Sequence, residues 1–198
     1  MKGTPFRVTV YASSSERIDP AYQVIAEELG RCIAGRGWEL VWGGGRHGLM
    51  GAVSRGARAA GGRTISVILQ QFIDKNVHCE EANELCSVTD MRLRKQGLAE
   101  RGDAFVALPG GLGTFEEILE ILSFKQLGFH DRPVVFLDAL GYWQQLLKAL
   151  DRGFEGGFIQ EHNRGIYTIA DSPAQAILQI ENTAPSSRPP RECRSPES

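Results

Sequence analysis

A chain of 198 residues, 42% hydrophobic and 23% charged, has the size and composition of one globular domain with a single core. Its formal net charge of −2 argues against broad attraction to nucleic acid or to an anionic membrane surface. The four cysteines form no C-x-x-C pair and the four histidines no H-E-x-x-H or zinc spacing, so reduced thiols and no metal site are expected.

Residues 1–7 contain no apolar core of signal-peptide length, and no apolar run is long enough to span a bilayer, so a cytoplasmic protein is expected. Residues 7–12 (RVTVYA) read as a first strand, followed by the polar turn Ser13-Ser14-Ser15. A helix is predicted over 20–35, with Pro20 near its start and Val24, Ile25, Leu29 and Ile33 at helical spacing. A strand over 38–42, a helix over 49–60 and a strand over 64–69 come next, then a polar, glycine-free stretch, 70–84, that reads as a loop or flap. Asp90 stands where an N-cap would, ahead of a helix over 91–100. Further strands are predicted over 104–108, 133–137 and 167–170, and further helices over 114–127, 142–154 and 173–181. The remainder is rich in Pro, Ser and Arg without apolar periodicity, which predicts one domain over 1–182 and a disordered tail over 183–198.

Strands alternating with helices predict an α/β fold: a Rossmann-like, doubly wound parallel sheet with helices on both faces. Ligands of such sheets bind beyond the carboxyl ends of the strands, near a topological switch point. Three loops qualify: 13–15, 43–48 and 109–114.

The run Gly43-Gly44-Gly45-Arg46-His47-Gly48 contains G-x-G-x-x-G, but it follows the second strand. The acid expected about 20 residues on for a dinucleotide's ribose is missing; Leu69, Gln70 and Gln71 stand there. A tight packing turn and a ligand loop both fit, so Ser14, Gly44 and Gly45 are held as phosphate or sugar contacts. The run Pro109-Gly110-Gly111-Leu112-Gly113-Thr114 is more specific: glycines admit close backbone approach, and the N–H groups of a helix start, with its dipole, attract an anion. No lysine follows in Walker fashion, so one phosphate suits the loop better than three. Thr114 and Glu117 also have the spacing of a capping box, in which Glu117 would only satisfy a backbone donor.

The helix after this loop carries Phe115, Ile118, Leu119 and Leu122 on one stripe, suited to the sheet. Ile121 and Phe124 fall on the other side, in line with Glu117. That arrangement predicts self-association through helix 114–127, with Glu117 partly desolvated at the edge of the contact. The helix start Asp90-Met91-Arg92-Leu93-Arg94-Lys95 crowds cations against the dipole, as a solvated face or because an anion lies near.

Together, Gly43-Gly44-Gly45-x-x-Gly48-Leu49-Met50-Gly51, Met91-x-x-Arg94-Lys95, Pro109-Gly110-Gly111-x-Gly113-Thr114-x-x-Glu117 and the segment 126–133 (QLGFHDRP) resemble the LOG ("lonely guy") family, from the first strand to about Ile159. Its members are cytokinin riboside 5′-monophosphate phosphoribohydrolases, often mislabelled lysine decarboxylases. The resemblance implies a homodimer or larger assembly without cofactor, cleaving AMP or an N6-substituted adenine nucleotide to free base and ribose 5-phosphate. It implies Arg94 and Glu117 as the catalytic pair, and Met91, Arg94, Lys95, Gly111, Leu112, Gly113, Thr114, Phe115, Glu116, Glu117 and Ser123 as substrate-binding residues. Glu117 as nucleophile, base or electrostatic stabiliser remains open, as do AMP against its isopentenylated relative and dimer against hexamer. The sequence departs from the family at Tyr11-Ala12-Ser13-Ser14-Ser15, where relatives usually have a glycine before paired serines. Ser123 stands where many carry threonine, and Asn76 roughly where many carry glutamate. A non-catalytic nucleotide-binding or sensor protein on the same fold is the alternative. A pyridoxal-phosphate decarboxylase is disfavoured, because Lys95 and Lys125 lack a cofactor-anchoring context.

Overall fold

Seven parallel strands form one sheet in the computed structural model, which describes residues 4–184. They are β1 (Arg7–Tyr11), β2 (Glu39–Trp42), β3 (Thr64–Leu69), β4 (Glu84–Val88), β5 (Ala104–Ala107), β6 (Val134–Leu137) and β7 (Thr168–Ala170), in the order β4-β3-β2-β1-β5-β6-β7. The helices are α1 (Pro20–Gly35), α2 (Gly48–Ala59), α3 (Gln70–Asp74), α4 (Met91–Arg101), α5 (Leu112–Gln126), α6 (Gln144–Glu155) and α7 (Pro173–Thr183).

Alternation along the strands sends side chains into two separate cores. Val8, Val10, Leu40 and Trp42 pack on one face with α1, α2 and α7, whereas Tyr11, Val41, Phe105 and Phe136 pack on the other with α4, α5 and α6. This is the doubly wound arrangement predicted. On the first face α1 and α2 touch through bare backbone: a Cβ on Gly56 would stand 1.9 Å from the carbonyl oxygen of Glu27.

Several predictions are corrected. The stretch 70–84 is not a plain loop: it opens with α3 and leads into β4, which pairs with β3 in register from Ile65↔Glu84 to Leu69↔Val88. That edge strand, ELCSV, is nowhere fully buried, so it lacks the apolar run that marks the central strands. Val24 is exposed; Ala26, Leu29, Gly30 and Ile33 form the buried stripe of α1. Ile121 is fully buried and packs with Ile118 and Leu122 beneath the sheet, so it belongs to no outer face. Helix α5 begins at Leu112 with Gly111 as its N-cap, two residues before the predicted start, so Thr114 is not a cap and the capping box is absent.

Helix α7 runs to Thr183, one residue past the predicted end of the domain. Apart from Thr183 and Ala184, the predicted tail lies outside the described residues, as does Cys193. Cys32, Cys79 and Cys86 are free thiols, and among the described residues no helix is long and apolar enough to cross a membrane.

Candidate functional site

The chain winds away from β1 in opposite directions through β2 and β5, so the switch point lies between β1 and β5. The loops leaving these strands are joined there: Ser13 N donates to the Pro109 carbonyl at 3.1 Å, and Leu49 N and Met50 N both donate to the Ser13 carbonyl. All three glycine and serine loops singled out from the sequence therefore meet at one edge of the sheet.

Helix α4 reaches this edge from the opposite face. Asp90 caps it, accepting from Arg92 N at 2.8 Å and Leu93 N at 3.0 Å. Arg94, one turn in, is 6% exposed, and its Nη1 donates to Glu117 Oε1 at 2.8 Å; Glu117 is also 6% exposed. Nη2 of Arg94 donates to the Gly43 carbonyl at 3.3 Å, and its Nε is buried without a partner. Gly43 makes room for the guanidinium: a Cβ there would lie 2.0 Å from Nη2. The anion that offsets the cationic start of α4 is therefore a set of carboxylates on α5. Lys95 completes it, its Nζ donating to Glu116 at 2.7 Å and to Glu120 at 3.1 Å.

Glu117 lies on the inner stripe of α5 with Thr114, Ile118 and Ile121. Its own chain already desolvates it. Burial raises its pKa above the ordinary 4.5 although the Arg94 charge pulls the other way. Oε2 of Glu117 takes no hydrogen bond from any described residue. Tyr11 lies nearby, and burial, reinforced by the Glu117 charge, holds its phenol well above its usual range and thus protonated.

Next to this pair stands the start of α5. No side chain caps it and its first turn holds no acidic residue. Phe115 N bonds to the Gly111 carbonyl at 3.0 Å, which leaves the N–H groups of Leu112, Gly113 and Thr114 directed past the helix end. Gly110 is a glycine because the Thr114 side chain folds over it; a Cβ would lie 2.1 Å from Oγ1. Tyr142 braces the loop from the β6–α6 connection, its hydroxyl donating to the Gly110 carbonyl and its ring stacking on Phe115.

A cavity of about 360 Å³ opens on the other side of Arg94. Gly43 and Gly45 form its backbone floor. Ser14, Glu16, His47 and Arg94 give it a polar rim, and Met50, Ile68, Phe72 and Val77 an apolar wall. Arg46 Nε donates to His47 Nε2 at 3.3 Å, so Nδ1 carries the proton shared with Glu16 at 3.0 Å. Sequence reasoning missed Glu16, His47, Phe72 and Val77, which come from four loop or helix positions with no shared motif. It also missed Tyr142.

The predicted site residues are not all brought together. Ser14 and Gly45 line the cavity, but Gly44 faces Ser66 and Ile68 and gives its carbonyl to Cys79 N at 2.8 Å. Gly111 and Gly113 are exposed beside the helix end, Leu112 is 88% exposed, and Phe115 is half-buried. Met91 touches Arg94 through its sulfur at 3.9 Å. Glu116 is exposed and engaged by Lys95. Ser123 is exposed and bonded back to the Leu119 carbonyl, away from the cavity.

Comparison with known proteins adds four findings. A family profile described as "Possible lysine decarboxylase" matches residues 50–180. A probable cytokinin riboside 5′-monophosphate phosphoribohydrolase of Oryza sativa subsp. japonica is 41% identical over 90% of this chain and 73% of its own length. A cytokinin riboside 5′-monophosphate phosphoribohydrolase of Arabidopsis thaliana is 38% identical over 90% and 83%. Among solved structures, the molybdenum cofactor binding protein of the phototrophic bacterium Rippkaea orientalis superposes with a TM-score of 0.69 at 25% identity, covering 91% of this chain and 98% of that one.

Proposed function

This chain belongs to the LOG family, that of the cytokinin riboside 5′-monophosphate phosphoribohydrolases, and we propose that it hydrolyses the N-glycosidic bond of AMP or an N6-substituted AMP. The products are the free base and ribose 5-phosphate. The observation that carries this reading is the buried Arg94–Glu117 pair, with one carboxylate oxygen left free, beside an uncapped helix start.

The phosphate docks on the N–H groups of Leu112, Gly113 and Thr114, where the α5 dipole favours negative charge. The base enters the cavity, its flat faces against Met50 and Phe72. Glycosidic cleavage develops positive charge on the sugar. The Glu117 carboxylate stabilises that charge and orients a water whose oxygen bonds to the anomeric carbon as the carbon–nitrogen bond breaks. The base departs with one proton of that water. Arg94 fixes the carboxylate by charge-assisted hydrogen bonding and keeps it ionised against the cost of burial. No step in this scheme calls for a metal or an organic cofactor.

The outer end of α5 supports self-association. Phe124, Leu127 and Phe129 are 37%, 66% and 74% exposed, and the two phenyl rings meet edge to face at 5.8 Å. The occupant proposed for this patch is the same surface of a second copy.

The test is to incubate wild type and Glu117→Gln with AMP and with N6-isopentenyl AMP and to assay free base and ribose 5-phosphate by chromatography. Wild type releases both, and Glu117→Gln is slower by roughly 10²–10³ in kcat. A wild type that binds AMP but yields no ribose 5-phosphate overturns the reading in favour of a nucleotide-binding protein. Equal rates in the two proteins overturn the role of Glu117.

A further inference from the structure

We infer that a second cavity, behind the glycine loop, binds a phosphorylated sugar. It has a volume of about 320 Å³ and shares no lining residue with the cavity described above. Arg46 from the loop, Arg55 and Arg58 from α2, and His78, Glu80 and Glu81 from the segment before β4 surround it. At Gly51 the wall is bare backbone, since a Cβ would stand 1.9 Å from the Arg46 carbonyl oxygen.

The pattern of pairing points to a ligand rather than to a solvated face. Arg55 is committed, its Nε and Nη2 donating to Glu27 at 3.1 and 3.0 Å. Arg46 has no carboxylate within ion-pair distance among the described residues; it donates only to His47 Nε2. Arg58 Nη1 makes only a long ion pair with Glu81 Oε1 at 3.8 Å, beyond hydrogen-bond reach, while Oε2 accepts from the Cys79 thiol at 3.3 Å. Arg58 Nε and His78 Nδ1 are buried without partners. Leaving such nitrogens unpaired opposes folding, and a bound anion offsets that cost.

A bare phosphate answers only the guanidinium groups. Glu80 and Glu81 line the same space and accept hydrogen bonds, which suits a ligand with hydroxyls beside its phosphate. Arg46 and Arg58 match the phosphate and the two carboxylates the hydroxyls. Ribose 5-phosphate has this chemistry. Its identification as a sensed product rests on the hydrolysis proposed above, whereas the site itself does not. Arg46 and His47 are consecutive yet face different cavities, as are Val77 and His78, and an antiparallel bridge between Gly45 and His78 ties the two segments. Occupancy behind the loop therefore bears on the wall of the catalytic cavity.

The experiment is calorimetric titration with ribose 5-phosphate, inorganic phosphate and ribose, using wild type, Arg46→Gln and Arg46→Gln/Arg58→Gln. Arg46 is exposed, so the single variant keeps the test open should the double variant misfold. Wild type is expected to take up ribose 5-phosphate at a second site per chain that saturating AMP does not displace. That site weakens about tenfold or more in each variant. A titration fully displaced by AMP, or undiminished in both variants, refutes the site, and inorganic phosphate binding as tightly as ribose 5-phosphate refutes a sugar phosphate. A wild type that fills the second site but releases no base from AMP sustains this inference while refuting the proposed reaction.

Discussion

Gly43 and Arg94 compete for one volume, since a Cβ on the glycine would stand 2.0 Å from Nη2 of the arginine. The guanidinium cannot slide away cheaply, because it is 6% exposed and bonded to Glu117 on its other arm. Gly43→Ala is therefore expected to separate Arg94 from Glu117 and to lower kcat by roughly 10²-fold, approaching the Glu117→Gln variant. Base release under saturating AMP reads the effect, and a variant with wild-type kcat would show that the seat of Arg94 is irrelevant to turnover.

On the proposed mechanism, the raised pKa of Glu117 sets the acid limb of the pH profile. If the ionised carboxylate is the working form, kcat/KM falls as pH drops through a value above the ordinary 4.5, and Glu117→Gln has no such limb. Stability runs the other way: a group whose folded pKa is raised contributes stability fully present below its unfolded value and lost as pH rises through the folded one. Rates measured in steps of half a pH unit, alongside urea unfolding, separate the two.

His130 makes an opposite and separate contribution. Burial lowers its pKa to about 4 from 6.5, with Arg132 adding to the shift. The unfolded chain then binds the proton first, so stability is retained above 6.5 and declines between 6.5 and about 4. The slope is at most ~1.4 kcal/mol per pH unit, and less for a half-exposed ring. Urea midpoints across that window should fall more steeply in wild type than in His130→Gln, which keeps a donor for the Ile121 carbonyl.

The self-association proposed above rests on side chains that α5 and its C-cap turn outward. Phe129→Glu and Leu127→Glu place a charge on that patch and are expected to shift sedimentation toward the monomer with little change in the melting temperature of the fold. Sedimentation identical to wild type in both variants would move the contact elsewhere.

The arrangement of strands was legible because the central strands are continuous apolar runs and the helices between them have clear periods. Helix α1 spans the residues predicted for it, and Asp90 caps α4 where its sequence position indicates. What escaped was decided by tertiary partners. Ile121 and Phe124 lie in angular line with Glu117, so the helical projection put them on an outer face, whereas Ile121 packs into the core and Arg94 from another helix pairs with Glu117. Lys95 likewise reads as a free cation until α5 supplies Glu116 and Glu120. Strand β4 escaped because an edge strand needs burial on neither face, and its pairing to β3 is made by backbone that carries no sequence signal.

Helix α5 gives the protein a gauge. The N–H groups proposed to receive a phosphate and the carboxylate proposed to meet the sugar ride on the same rigid rod, with Thr114 and Glu117 three residues, or about 4.5 Å of axial rise, apart. No hinge lies between them, so the separation is built in. A nucleoside without its phosphate has nothing to index against the rod, and a diphosphate indexed by its terminal group carries its anomeric carbon past the carboxylate. On the proposed binding mode, length measured by one helix thus selects the monophosphate independently of whatever the cavity prefers in the base.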